Sequence, residues 1–86
     1  SLVNSKMIQK QLCTLLQSRD AHIVRDTLKI VACSNLEWPT HELITALLHA
    51  LRDENEDVRR GAIDALRNVG EKEATQEVFT ALLNAL

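Results

Sequence analysis

The chain lacks Tyr altogether and holds one Phe, one Trp, one Pro and two Gly. A sheet draws on β-branched and aromatic residues, so this shortage argues against one. The scarcity of Gly and Pro leaves few places where a helix would break. Neither sign of charge dominates: 10 basic and 12 acidic residues give a net charge of −2. No long block of like charge occurs, so no nucleic-acid partner is expected. No apolar run approaches a membrane span, and the first residues lack a signal-peptide core, so an intracellular protein without a membrane partner is expected.

Chemistry-bearing patterns are missing too. There is no Gly-rich phosphate loop, no Ser/His/Asp order and no carboxylate pair placed in a pocket, so no catalytic residue and no enzyme are expected. His41 and His49 lie eight apart on one predicted helix and His22 sits on another. No His or Cys pair has zinc-site spacing, so neither a metal nor a cofactor is expected. The acids Glu54, Glu56 and Asp57 lack the ligand alternation of a calcium loop and read as helix capping. Cys13 and Cys33, 20 residues apart, belong to no disulfide framework and read as free buried thiols.

What is present is aliphatic. Hydrophobic residues make up 45% of the 86, almost all Leu, Ala, Val and Ile. That mixture suits helices packed by aliphatic side chains, and the length allows one domain with a small core. The fold class is therefore all-α.

The chain is organised around a repeat. Glu-Leu-Ile-Thr-Ala-Leu-Leu-His-Ala-Leu (42–51) returns 35 positions later as Glu-Val-Phe-Thr-Ala-Leu-Leu-Asn-Ala-Leu (77–86), identical at seven of ten positions. A period of this size marks a stacked array of supersecondary units.

Five helices follow from the 3.6-residue periodicity. The first, 5–17, carries the stripe Ile8, Leu12, Leu15 and Leu16, with Gln9, Lys10 and Thr14 facing away. Asp20 is placed to cap the second, 21–34, whose broad apolar face holds Ile23, Val24, Thr27, Leu28, Ile30 and Val31. Asn35 is the expected stop, and Pro39 denies its predecessor a helical conformation. Trp38, just before it, is expected to pack over the end of a unit. Thr40 caps the third helix, which buries Leu43, Ile44, Leu47, Leu48 and Leu51. Asn55 caps the fourth, which buries Val58, Ala62, Ala65, Leu66 and Val69 and is expected to stop at Gly70. Gly61, in mid-helix, costs roughly 1 kcal/mol against Ala and suggests close packing between units. The fifth helix, from about 72, repeats the third.

The pattern is a helix A and a helix B, with units at about 5–35 and 40–70 and a half unit at 72–86, in a single domain spanning 1–86. The first A–B turn is one residue shorter than the second, since Ile8 aligns with Leu43 at 35 but Val24 with Val58 at 34. The last half unit has no helix B over Val78, Phe79, Leu82, Leu83 and Leu86. A fragment of a longer solenoid that self-associates through this last helix is therefore expected.

The near-match to Leu-x-x-Leu-Leu-x-x-Leu in 43–51, the acidic turn, and Asp-Val-Arg-x-x-Ala-x-x-Ala-Leu in 57–66 closed by Asn68-Val69-Gly70 resemble a HEAT repeat. The short loops are similar to the compact subtype of phycobilisome lyases. The resemblance implies an α-solenoid of antiparallel helix pairs wound as a right-handed superhelix, with B helices lining the concave side. It also implies polar contacts between neighbouring repeats from a turn Asp to a helix-B Arg six residues on. Asp53 and Arg59 have that spacing. Arg25 matches in the first unit, where position 19 is Arg and Asp20 lies one residue off.

If B helices line the concave side, Asp26, Lys29, Arg60, Asp64, Arg67 and Asn68 form a mixed-charge strip there, together with Cys33 and Gly61. Such a strip suits a protein or peptide partner, and a non-catalytic interaction scaffold is the expected function. The alternatives are a structural or oligomerisation spacer whose strip is merely solvated, or a bilin lyase or isomerase. An enzyme of that kind needs a Cys, Asp or Tyr in a concave pocket, and Tyr is absent.

Overall fold

A computed structural model describes residues 2–34, 39–72 and 83–85. Four helices occupy the first two stretches: α1 (Leu2–Leu16), α2 (Ala21–Cys33), α3 (His41–Ala50) and α4 (Glu56–Lys72). Residues 83–85 are helical as well, and no strand occurs among the described residues.

Local chemistry starts these helices where the sequence places their caps. Asp20 accepts a hydrogen bond from the His22 amide, and Thr40 Oγ1 accepts one from the Leu43 amide. Asn55 Oδ1 accepts from the amides of Asp57 and Val58, at 2.9 and 3.3 Å. Each satisfies donors that the first helical turn leaves unpaired. The α1–α2 turn spans four residues and the α3–α4 turn five, which is the one-residue difference read from the two offsets.

The helices stack as two pairs of an all-helical solenoid. α1 packs against α2 and α3 against α4 within the pairs. Between pairs, α1 meets α3, and α2 meets α4 most extensively. One core runs through all four helices. Leu28, Leu43, Leu47, Leu66, Val31, Val58 and Val69 are its largest fully buried apolar side chains. Burying a Leu or Val of this kind contributes roughly 1.5–3 kcal/mol each. The two pairs approach closely at Gly61, where a Cβ would lie 3.1 Å from both Cβ and Cδ1 of Leu28. Gly61 is the close approach its mid-helix position suggested.

Several expectations need correction. The buried stripe of α1 is Gln9, Leu12 and Cys13 with half-buried Leu16, rotated one position from the predicted stripe; Ile8 and Leu15 are exposed. The stripe follows where α2 and α3 lie, and a buried amide with partners can occupy it. On α2, Ile23 and Ile30 are likewise exposed, because α1 and α4 cover only the Val24, Thr27, Leu28 and Val31 side. Cys33 is exposed, not buried, and only Cys13 is a core thiol. α4 continues through Gly70 to Lys72, and no described Gly has positive φ. Without a left-handed turn, Gly70 costs helix propensity but does not end the helix. Helix α1 starts at Leu2, three residues earlier than predicted. Asn35 and Trp38, and most of the predicted fifth helix, lie outside the described residues.

Candidate protein-interaction face

The two B helices carry one exposed stripe in the same register. Applying the 34-residue offset, Ile23, Asp26, Ile30 and Cys33 of α2 correspond to Asp57, Arg60, Asp64 and Arg67 of α4, and all eight are exposed. They recur at i, i+3, i+7 and i+10, one side of a helix. Since α2 and α4 pack directly together, the stripes run side by side. The α2 half is apolar at two positions, and the α4 half alternates acid and base.

Asp26, Lys29, Arg60, Asp64 and Arg67 are thus all in solvent. Lys29 flanks the stripe, at the register of half-buried Ile63. The charges pair along their own helices: Arg60 with Glu56 at 2.8 Å, Arg67 with Asp64 at 4.0 Å, and Arg25 Nε with Asp26 at 3.7 Å. Exposed pairs of this kind contribute about 0–1 kcal/mol and exchange readily for a partner's charges.

Asn68 is differently engaged. Half-buried, it donates from Nδ2 to the carbonyls of Val31 and Ser34, at 3.0 and 2.9 Å. It ties the carboxyl end of α2 to the neighbouring pair, adding a donor to the Val31 carbonyl, which also accepts from the Ser34 amide and hydroxyl at 3.2 and 2.7 Å.

The turn contact of Arg59 also differs from expectation. Its Nη1 donates to the main-chain carbonyls of Asp53 (2.8 Å) and Glu54 (3.0 Å). The Asp53 carboxylate instead accepts from the Asn55 amide at 2.8 Å. These bonds lie within one A–B turn, and so brace the α3–α4 corner. Arg25 at the equivalent place is half-buried; among the described residues its Nε makes no hydrogen bond and its ion pair is with neighbouring Asp26 at 3.7 Å.

A residue that sequence reasoning set on the outside, Gln9, bridges the pairs on the A side. It is 1% exposed, accepts from the Thr40 amide at 2.7 Å and donates to Ser5 Oγ at 3.2 Å. No periodicity argument would find it, because a polar residue counts there as outward-facing. Gln9 and Asn68 hold the two ends of the α2–α3 connector from opposite layers.

Between α1 and α3 runs an open groove of about 900 Å³, lined by Cys13 and Leu16 on one side and Glu42, Ala46, His49 and Ala50 on the other. Burial, and secondarily the Glu42 carboxylate, raises the Cys13 thiol above its ordinary range. A cysteine nucleophile needs the opposite shift, so this groove holds no activated thiol. Among the described residues, no three His, Cys, Asp or Glu stand close enough to hold a metal ion. Among them too, no helix is long and apolar enough to cross a membrane.

Residues 10–85, most of the chain, match the family model for HEAT repeats. The chain belongs to the HEAT repeat family. Comparisons with curated proteins and with solved structures found no match. The HEAT assignment agrees with the paired stacking of α1–α4 and with the register of the exposed stripe. HEAT repeats are commonly protein-interaction scaffolds, and the family is generally non-catalytic.

Proposed function

We propose that this HEAT-repeat chain is a non-catalytic scaffold that binds a protein or peptide through the stripe on α2 and α4. The observation that carries the reading is the coincidence of register: the same four B-helix positions are exposed in both helix pairs, and the helices bearing them are adjacent. Asp26, Arg60, Asp64 and Arg67 supply charge within this stripe and Lys29 beside it. Ile23 and Ile30, 41% and 55% exposed, would supply apolar anchors among these charges. Asn68 serves the stripe indirectly, by locking α4 against the end of α2. Asp53 and Arg59 brace the α3–α4 turn beside it.

A partner of mixed charge with spaced apolar residues fits this surface. The test is quantitative affinity capture with the chain and with the double variant Arg60→Glu, Arg67→Glu. A partner enriched by the first and lost from the second supports the stripe. Capture unchanged by the two charge reversals, or capture equally lost when exposed residues outside the stripe are changed, refutes it.

A further inference from the structure

The two layers of the stack differ in how closely their helices approach. In the B layer, α2 and α4 meet at Gly61, where Leu28 fills the room of a side chain. In the A layer, Ala46 and Ala50 of α3 and Cys13 and Leu16 of α1 line the open groove of about 900 Å³. These four side chains are buried or half-buried and make an apolar floor. The α3 rim above it is polar and exposed, with His41, Glu42, His49 and Asp53. An apolar floor takes up a ligand's apolar side, and a few polar groups on the rim orient it.

The fixed charge on that rim has one sign. Neither Lys nor Arg lines the groove, and the two carboxylates stand at opposite ends of α3. Glu42 is in its first turn, and Asp53 lies three residues past its last residue, Ala50. The Asp53 amide still donates to the Ala50 carbonyl at 3.2 Å, so the winding continues to that point. Its carboxylate is held by the Asn55 amide at 2.8 Å. At 1.5 Å per residue, the eleven steps from Glu42 to Asp53 span about 16 Å. Eleven residues also make three helical turns, so positions i and i+11 of any helix share a face. We infer that the α1–α3 groove binds a basic amphipathic helix of a partner protein. Lys or Arg at i and i+11 of that helix sit over Glu42 and Asp53. The aliphatic side chains between them enter the space left by Ala46 and Ala50. An extended segment would cover the same span in about five residues and turn every second side chain away from the floor. This surface uses none of the stripe residues on α2 and α4.

Fluorescence anisotropy with the 86-residue chain tests it. The probe is a labelled synthetic helical peptide with Lys at i and i+11 and Leu on the same face between them. Saturable binding is expected at physiological salt, and a scrambled peptide of the same composition should bind at least tenfold more weakly. Glu42→Gln and Asp53→Asn should each weaken the helical peptide about two- to fivefold. Both positions are exposed, and Asn at 53 keeps an acceptor for the Asn55 amide. Ala46→Phe, which fills the groove, should weaken it about tenfold or more. Asp64→Asn, in the α4 stripe, should bind as the wild type does. Far-UV circular dichroism checks that each variant is folded, and the two carboxylate variants decide the matter if Ala46→Phe is not. Absence of binding overturns the proposal, as does equal binding of the scrambled peptide. A loss at Asp64→Asn as large as at Glu42→Gln also overturns it, since the peptide would then sit on the stripe.

Discussion

Leu28 occupies the space that a side chain at position 61 would need. A Cβ on Gly61 would meet the Leu28 Cβ and Cδ1 at 3.1 Å each, and Leu28 itself is fully buried. A Cβ cannot swing aside as a side-chain tip can, so relief requires α2 and α4 to move apart.

Gly61→Ala therefore sets two effects against each other. Helix propensity favours Ala by about 1 kcal/mol, while overpacking a tight contact costs about 1–3 kcal/mol. A net loss is expected, with Gly61→Val worse, read as falling midpoints in chemical denaturation. Adding Leu28→Ala should recover part of the Gly61→Ala loss through a favourable coupling. If Gly61→Ala is stabilising by itself, the helices are not in close contact there.

Asn68→Ala should destabilise by about 1–3 kcal/mol, because the two hydrogen bonds that tie α4 to the end of α2 are lost at about 0.5–1.5 kcal/mol each. Asn68→Asp should cost more, since it turns carboxylate oxygens toward carbonyl oxygens. Hydrogen exchange would locate the effect at the carboxyl end of α2. Equal destabilisation by Ala and Asp would count against this geometry.

The two thiols should differ in reactivity. Cys33 is exposed and Cys13 buried, so a thiol reagent at neutral pH should modify Cys33 first and Cys13 only as the fold opens. The raised Cys13 value also has a sign. The folded state favours the protonated thiol, so the associated stability is complete below the ordinary thiol range and is lost as pH rises above it. Cys13→Ala should remove that alkaline loss, which denaturation at neutral and alkaline pH measures.

Asn55→Ala should cost about 1 kcal/mol by uncapping α4. Exchange at the amides of Asp57 and Val58, which its side chain accepts, should accelerate most. An unchanged rate at those two amides would rule the cap out.

Much of this architecture was legible before any coordinates. The 35-residue return of the decapeptide implied stacking, Asp20, Thr40 and Asn55 announced their helices, and Gly61 announced a close approach. Each rests on local chemistry or on comparison of the chain with itself. The errors have one physical origin: periodicity says that a helix has an apolar side, but not how much of it a neighbour covers. Thus Ile8, Leu15, Ile23 and Ile30 read as core and are exposed, while Gln9 read as solvent-facing and is buried.

The sequence by itself determined the helical class, the repeat unit, the turn lengths and the caps, because these depend on propensities, spacing and hydrogen bonds between near neighbours. Only the tertiary structure decided which residues join the two pairs. Gln9 to Thr40, Asn68 to Val31 and Ser34, and Gly61 against Leu28 link positions 31 to 37 residues apart. Such contacts depend on how one helix pair seats on the next. That seating also aligned the exposed positions of α2 and α4 into a single stripe.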